Sequence, residues 1–126
     1  MATIRYLVRD VDQSLPFYQL LGFELVNHMG PPFAIVRRGD LSIWLSGPLS
    51  SAARPLPDGA APTPGGWNRL VVEVTDLPAM MALLRSAGAH FRSEPVTGPG
   101  GTQVVVDDPS GNPIELFVPR GGARDR

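Results

Sequence analysis

The chain has 126 residues, a formal net charge of −1 and no cysteine, with 43% hydrophobic and 18% charged residues. That suits a single globular domain with one sizeable core, and it excludes disulfides and thiolate metal sites. Charges of both signs are scattered with no basic stripe, which argues against a nucleic-acid partner. No apolar run approaches the ~20 residues of a membrane span, and Met1–Arg5 has no signal layout, so a cytoplasmic location is expected.

Thr3 to Val8 alternates as a strand, with Thr3, Arg5 and Leu7 on one face and Ile4, Tyr6 and Val8 on the other. Ser14 reads as a helix N-cap that places Pro16 in the first turn. Leu15, Phe17, Tyr18 and Leu21 form the apolar stripe, and Gly22 closes the helix. Strands are expected over Phe23–His28, Phe33–Arg37 and Leu41–Ser46, with a hairpin at Gly39-Asp40. Pro48 to Gly66 is rich in Ala, Pro and Gly and has no periodicity; it is a linker, a lid or a swapped arm. A strand over Leu70–Val74 follows, then a helix capped by Asp76 or Thr75 and ending before Gly88. Ala89–Pro95, Thr102–Val106 and Pro113–Val118 read as strands, with turns at Gly98–Gly101 and Asp108–Asn112. Gly121–Arg126 reads as a frayed tail.

The chain repeats itself. Val8-Arg9-Asp10-Val11 returns as Val74-Thr75-Asp76-Leu77, and Leu21-Gly22-Phe23 as Ala87-Gly88-Ala89, both at an offset of 66 residues. Each copy reads β-α-β-β-β. The expected architecture is α+β: two βαβββ modules in tandem, at about 1–47 and 67–120, forming a curved, mostly antiparallel sheet around a trough. A helix covers one face of each sheet, and the bare faces are the natural ligand site.

At these residues the chain resembles the vicinal oxygen chelate superfamily of glyoxalases, bleomycin-resistance proteins and extradiol dioxygenases. The resemblance rests on Val8 to Tyr18 with Leu21-Gly22-Phe23-Glu24, on Gly66-Trp67-Asn68-Arg69-Leu70, and on Asp108 to Phe117. In metal-dependent members four side chains hold a divalent ion. The resemblance places those positions on Thr3, Trp44, Arg69 and Glu115. Only Glu115 is a good ligand: indole offers no lone pair, a threonine hydroxyl is a poor donor, and a guanidinium repels a cation. His28 and His90 lie on outer strands, and Glu24 and His28, four residues apart on one strand face, are too far separated to chelate easily. No metal and no other cofactor is expected. Superfamily members commonly form homodimers, with facing units drawn from one chain or from two, and a homodimer is expected here.

In place of a metal, Arg69 and Glu115 are expected to pair. The expected ligand-binding residues are Thr3, Arg5, Trp44, Arg69, Glu73, Glu115 and Phe117. Several have a bland alternative: a rim arginine for Arg5, core packing for Trp44, a solvated strand end for Glu73, and a purely structural ion pair for Arg69 and Glu115. Phe33 either caps the trough mouth or packs in the core. Trp67, Tyr18, Met80 and Met81 read as packing residues, and Asp107-Asp108 as a turn. The leading functional reading is a metal-free small-molecule binding protein, its ligand aromatic or antibiotic-like. The alternative is a metal-independent isomerase or lyase with Glu115 as candidate catalytic base. A metal-dependent glyoxalase or dioxygenase is disfavoured by the ligand set.

Overall fold

The structure, a computed structural model, describes residues 2–121; the expected tail beyond Gly121 lies outside them. The first unit runs β1 (Ala2–Leu7), α1 (Val11–Leu20), β2 (Glu24–His28), β3 (Phe33–Arg38) and β4 (Leu41–Ser46). A single 3-10 turn, Ser51–Ala53, interrupts the long connection. The second unit runs β5 (Leu70–Glu73), α2 (Leu77–Ser86), β6 (His90–Phe91), β7 (Val96–Thr97), β8 (Gly101–Asp107) and β9 (Pro113–Pro119). The α+β class and the βαβββ order of the first unit are as the sequence implies, while the second unit has two short strands, β6 and β7, where one was expected. Each unit forms its own mixed sheet, ordered β1-β4-β3-β2 and β5-β9-β8-β6, with β7 paired to β8.

The repeat extends to the helix ends. Asp10 caps α1 through Gln13 N at 3.0 Å, and Asp76 caps α2 through Ala79 N at 3.0 Å. Gly22 and Gly88 follow the two helices with φ of +90° and +85°, a conformation that favours glycine. The expected cap at Ser14 is corrected: α1 begins one turn earlier, and the Ser14 hydroxyl donates to the Asp10 carbonyl at 2.7 Å. Aspartate accepts the orphan N–H better placed at the strand exit, so serine is left inside the helix. The expected strand over Ala89–Pro95 is also shorter. Only His90 and Phe91 register with β8, the ladder ending where Arg92 N donates to Val105 O at 2.9 Å, and Pro95 has no N–H for a ladder. A register shift between Leu25 and Asn27 sets Glu24 against Arg37 but His28 against Ala34. Glu24 and His28 therefore point to opposite faces, not to one; His28 Nε2 instead meets Asp12 Oδ1 on α1 at 2.7 Å.

One apolar core draws on both units: Val8, Tyr18, Ile43 and Leu45 from the first, Val72, Leu84, Ile114 and Leu116 from the second. The seam is tied by polar groups as well. Tyr18, fully buried, donates to Asp108 Oδ2 at 2.7 Å. Asp108 also accepts from Ser110 N, Asn112 N and Asn112 Nδ2. Asn112 Nδ2 reaches back to Leu7 O at 2.7 Å, Arg9 N donates to Ser110 Oγ at 2.8 Å, and Tyr6 bonds Leu70 N and Pro113 O. Asp108 is thus the turn residue expected, and a tie between the units as well. Burial holds the Tyr18 hydroxyl well above its usual pKa, with the Asp108 carboxylate adding to the shift; burial likewise raises Tyr6.

Candidate functional site

Alternation along each strand sends one set of side chains to this shared core and the other set to the outer face. In the first unit the outer set is Thr3 and Arg5 on β1, Ser42, Trp44 and Ser46 on β4, and Phe33, Ile35 and Arg37 on β3. Register places Arg5 and Ile35 on either side of Trp44, and Thr3 and Arg37 on either side of Ser42. In the second unit it is Val71 and Glu73 on β5, Glu115 and Phe117 on β9, and Gln103 and Val105 on β8, with Val71 beside Glu115 and Glu73 beside Phe117. All seven sequence-derived ligand-binding positions fall on these outer faces or, for Arg69, directly before β5.

The structure brings them together in two separate groups. Arg69 Nε lies 3.0 Å and Nη2 2.9 Å from Glu115 Oε1, so the expected ion pair forms. Glu115 is only 8% exposed, and Arg69 is half-buried above it. Arg5 stacks its guanidinium 5.1 Å from the centre of the Trp44 ring, donates to Ser46 Oγ at 3.1 Å, and Phe33 meets the same indole edge-on at 5.8 Å. Trp44 is half-buried, not core, and so is Phe33. Among the described residues no hydrogen bond, ion pair or ring contact joins Thr3, Arg5 or Trp44 to Arg69, Glu115 or Phe117. This follows from the packing: both sheets turn their inner faces to one core, so their outer faces look away from it.

Trp67 departs from its expected packing role and is 69% exposed. One face of its ring rests 4.3 Å from the Arg92 guanidinium. Arg92 is fixed by Asp107 Oδ1 at 2.6 Å, Gly66 O at 2.8 Å and Gly111 O at 3.1 Å, while Arg69 Nη1 donates to Trp67 O at 3.4 Å. With Gly65 N bonded to Asn112 Oδ1 at 2.8 Å, the end of the long connection is pinned to the second unit. Asp107 therefore serves Arg92 rather than the turn. Sequence reasoning passed over Arg37 and Arg92, and read Trp67 as packing. Alternation with Phe33 and Ile35 was enough to place Arg37; nothing local announced the Trp67–Arg92 stack.

The donor set does not fit a divalent ion. Glu115 is engaged by a cation at another of the four positions, and among the described residues no three His, Cys, Asp or Glu side chains gather. A groove of about 660 Å³ runs beside α2 over Met81, Arg85 and Glu94, and one of about 730 Å³ lies under the β3–β4 hairpin against Val71 and Val72. Among the described residues no helix is long and apolar enough to cross a membrane.

Residues 1–116 match the profile of the Glyoxalase/Bleomycin resistance protein/Dioxygenase superfamily. The antibiotic binding protein TnmS3 from Streptomyces sp. CB03234 superposes with a TM-score of 0.67 at 26% identity, over 93% of both chains. A bleomycin-binding protein complexed with bleomycin gives 0.58 at 25% identity, over 93% of this chain and 96% of that one. Lactoylglutathione lyase from Agrobacterium tumefaciens gives 0.68 at 18% identity, over 93% and 91%, and at that identity it speaks to fold alone. A comparison with curated proteins yields no match.

Proposed function

This chain belongs to the Glyoxalase/Bleomycin resistance protein/Dioxygenase superfamily, and from that premise we propose that it is a metal-independent small-molecule binding protein whose ligand carries an aromatic ring. The carrying observation is the Arg69–Glu115 ion pair. It joins two of the four positions at which chelating relatives hold their ion, and the other two are Thr3 and Trp44. A guanidinium there supplies a fixed positive charge without an open coordination position. The half-buried indole of Trp44, with Phe33 at its edge, supplies flat apolar area. Capture at equilibrium needs only such area and a few polar anchors. The solved antibiotic-binding relatives support the same reading.

Each outer face is half of a site. A homodimer completes both halves, with the Trp44 face of one copy opposite the Glu115 face of the other. Val71, 54% exposed beside Glu115, and the exposed Trp67 are the apolar surface such a partner covers. The absence of cysteine accords with a cytoplasmic setting. A second reading, a general-base isomerase or lyase, needs the Glu115 carboxylate available to a substrate proton, and both Arg69 contacts to Oε1 oppose it.

The test is a thermal-shift screen of the chelator-treated protein against bleomycin, aromatic natural products and small oxoacids, with recovery of each hit by mass spectrometry. The expected result is a ligand that raises the melting temperature and returns unchanged. Chelator-resistant turnover abolished by Glu115→Gln would replace capture with catalysis. Sedimentation of the same sample should give twice the chain mass; a monomer that still binds would refute the shared site.

A further inference from the structure

The two outer faces handle charge differently. On the second unit Arg69 is matched by Glu115 and Arg92 by Asp107. On the first unit Arg5 donates to the Ser46 hydroxyl at 3.1 Å and Arg37 to the Ser42 hydroxyl at 3.3 Å, the one hydrogen bond of each guanidinium among the described residues. Neither takes part in an ion pair among the described residues. Glu24 stands opposite Arg37 on the edge strand, yet its carboxylate stays beyond ion-pair distance. Ser42 and Ser46 bracket Trp44 along β4, so the two guanidiniums are held toward opposite ends of one indole.

We infer that the ligand is a planar aromatic anion whose ring lies over Trp44 and whose carboxylate, sulfonate or phosphate is taken up by Arg5 and Arg37. The inference rests on the proposed capture function and names its ligand class. A serine hydroxyl cancels no charge, so each guanidinium keeps most of its N–H donors and a full positive charge. A neutral ring laid over this face would take two cations out of water without compensation, which is unfavourable. An anion satisfies them, and the forked donors of arginine fit its paired oxygens. Arg5 already lies on the indole, so an anionic ring system there gains stacking and charge pairing together.

A matched pair of fluorescent probes tests this: 8-anilinonaphthalene-1-sulfonate and N-phenyl-1-naphthylamine, which share a ring skeleton and differ by the sulfonate. The wild-type protein is expected to bind the sulfonate at least about tenfold more tightly, with the preference shrinking as salt rises. Arg5→Gln and Arg37→Gln should each weaken sulfonate binding roughly fivefold and shrink the preference for the sulfonate over the neutral probe, with an unchanged melting curve certifying the fold. Trp44→Leu should weaken both. Equal affinities that depend on Trp44 would overturn the anion preference and leave aromatic capture standing. If Trp44→Leu alters neither probe, both the ligand class and the capture reading fall.

Discussion

The seam between the two units and the outer face of the second unit use the same kind of chemistry to different ends. At the seam, Asp108 collects four hydrogen bonds from Tyr18, Ser110 and Asn112 where water cannot reach. On the outer face, Glu115 collects two contacts from one arginine that is itself half-buried. A closed and fully bonded carboxylate is a fixture of the fold, while one covered by a single half-buried cation is open to exchange with a ligand under the proposed function. On the proposed function, burial and partner count, not residue type, separate the structural acid from the candidate site acid.

Asp108→Ala puts the largest strain on this distinction. It strands the Tyr18 hydroxyl, two backbone N–H groups and an Asn112 donor in the interior, so urea unfolding should show a loss of about 3–4 kcal/mol. A loss under 1 kcal/mol would mean the seam is wetter than its contacts imply. Arg69→Ala should cost less, about 2 kcal/mol, because Glu115 is nearly buried but its partner is partly solvated. Glu115→Gln should cost about 1 kcal/mol or less, since the amide oxygen still accepts from Arg69. If Glu115→Gln proved as damaging as Asp108→Ala, the outer pair would be a second fixture and not a site.

The smallest effect is in alkali. Tyr18 and Tyr6 have folded pKa values raised above the unfolded value near 10. The unfolded chain therefore releases these protons first as pH rises. Their contribution is fully present below pH ~10 and is lost progressively as pH climbs through the folded values. Melting temperature should fall between pH 9 and 11, and Tyr18→Phe should flatten that fall while lowering stability at pH 8 by about 1 kcal/mol. An unchanged slope in Tyr18→Phe would place the alkaline transition on another group.

Much of this architecture was legible because it repeats. The Asp10 and Asp76 caps and the Gly22 and Gly88 ends sit at one offset, and alternation along β1, β4 and β9 separates core from outer positions without any tertiary information. The Arg69–Glu115 pair was reachable because the resemblance assigns both residues to positions that converge on one ion in chelating members, and here they carry opposite charges. Less legible were features set by contacts distant in sequence. The bulge between Leu25 and Asn27 inverted the facing of His28 relative to Glu24, and no local pattern marks a bulge at that point. Trp67 looked like a packing residue because tryptophan usually is; its exposure depends on Arg92, held in place by Asp107, Gly66 and Gly111 from three other segments. How the two outer faces are disposed depends on how the units pack, and strand periodicity within each unit is silent on that.

Metal uptake tests the central claim most directly. Zinc and nickel titrated by calorimetry into tag-free, chelator-treated protein should show no stoichiometric binding at micromolar concentrations, because the Arg69 cation sits on Glu115, the lone acid of that quartet. One ion per chain bound with micromolar affinity, and lost in Glu115→Gln, would contradict the account.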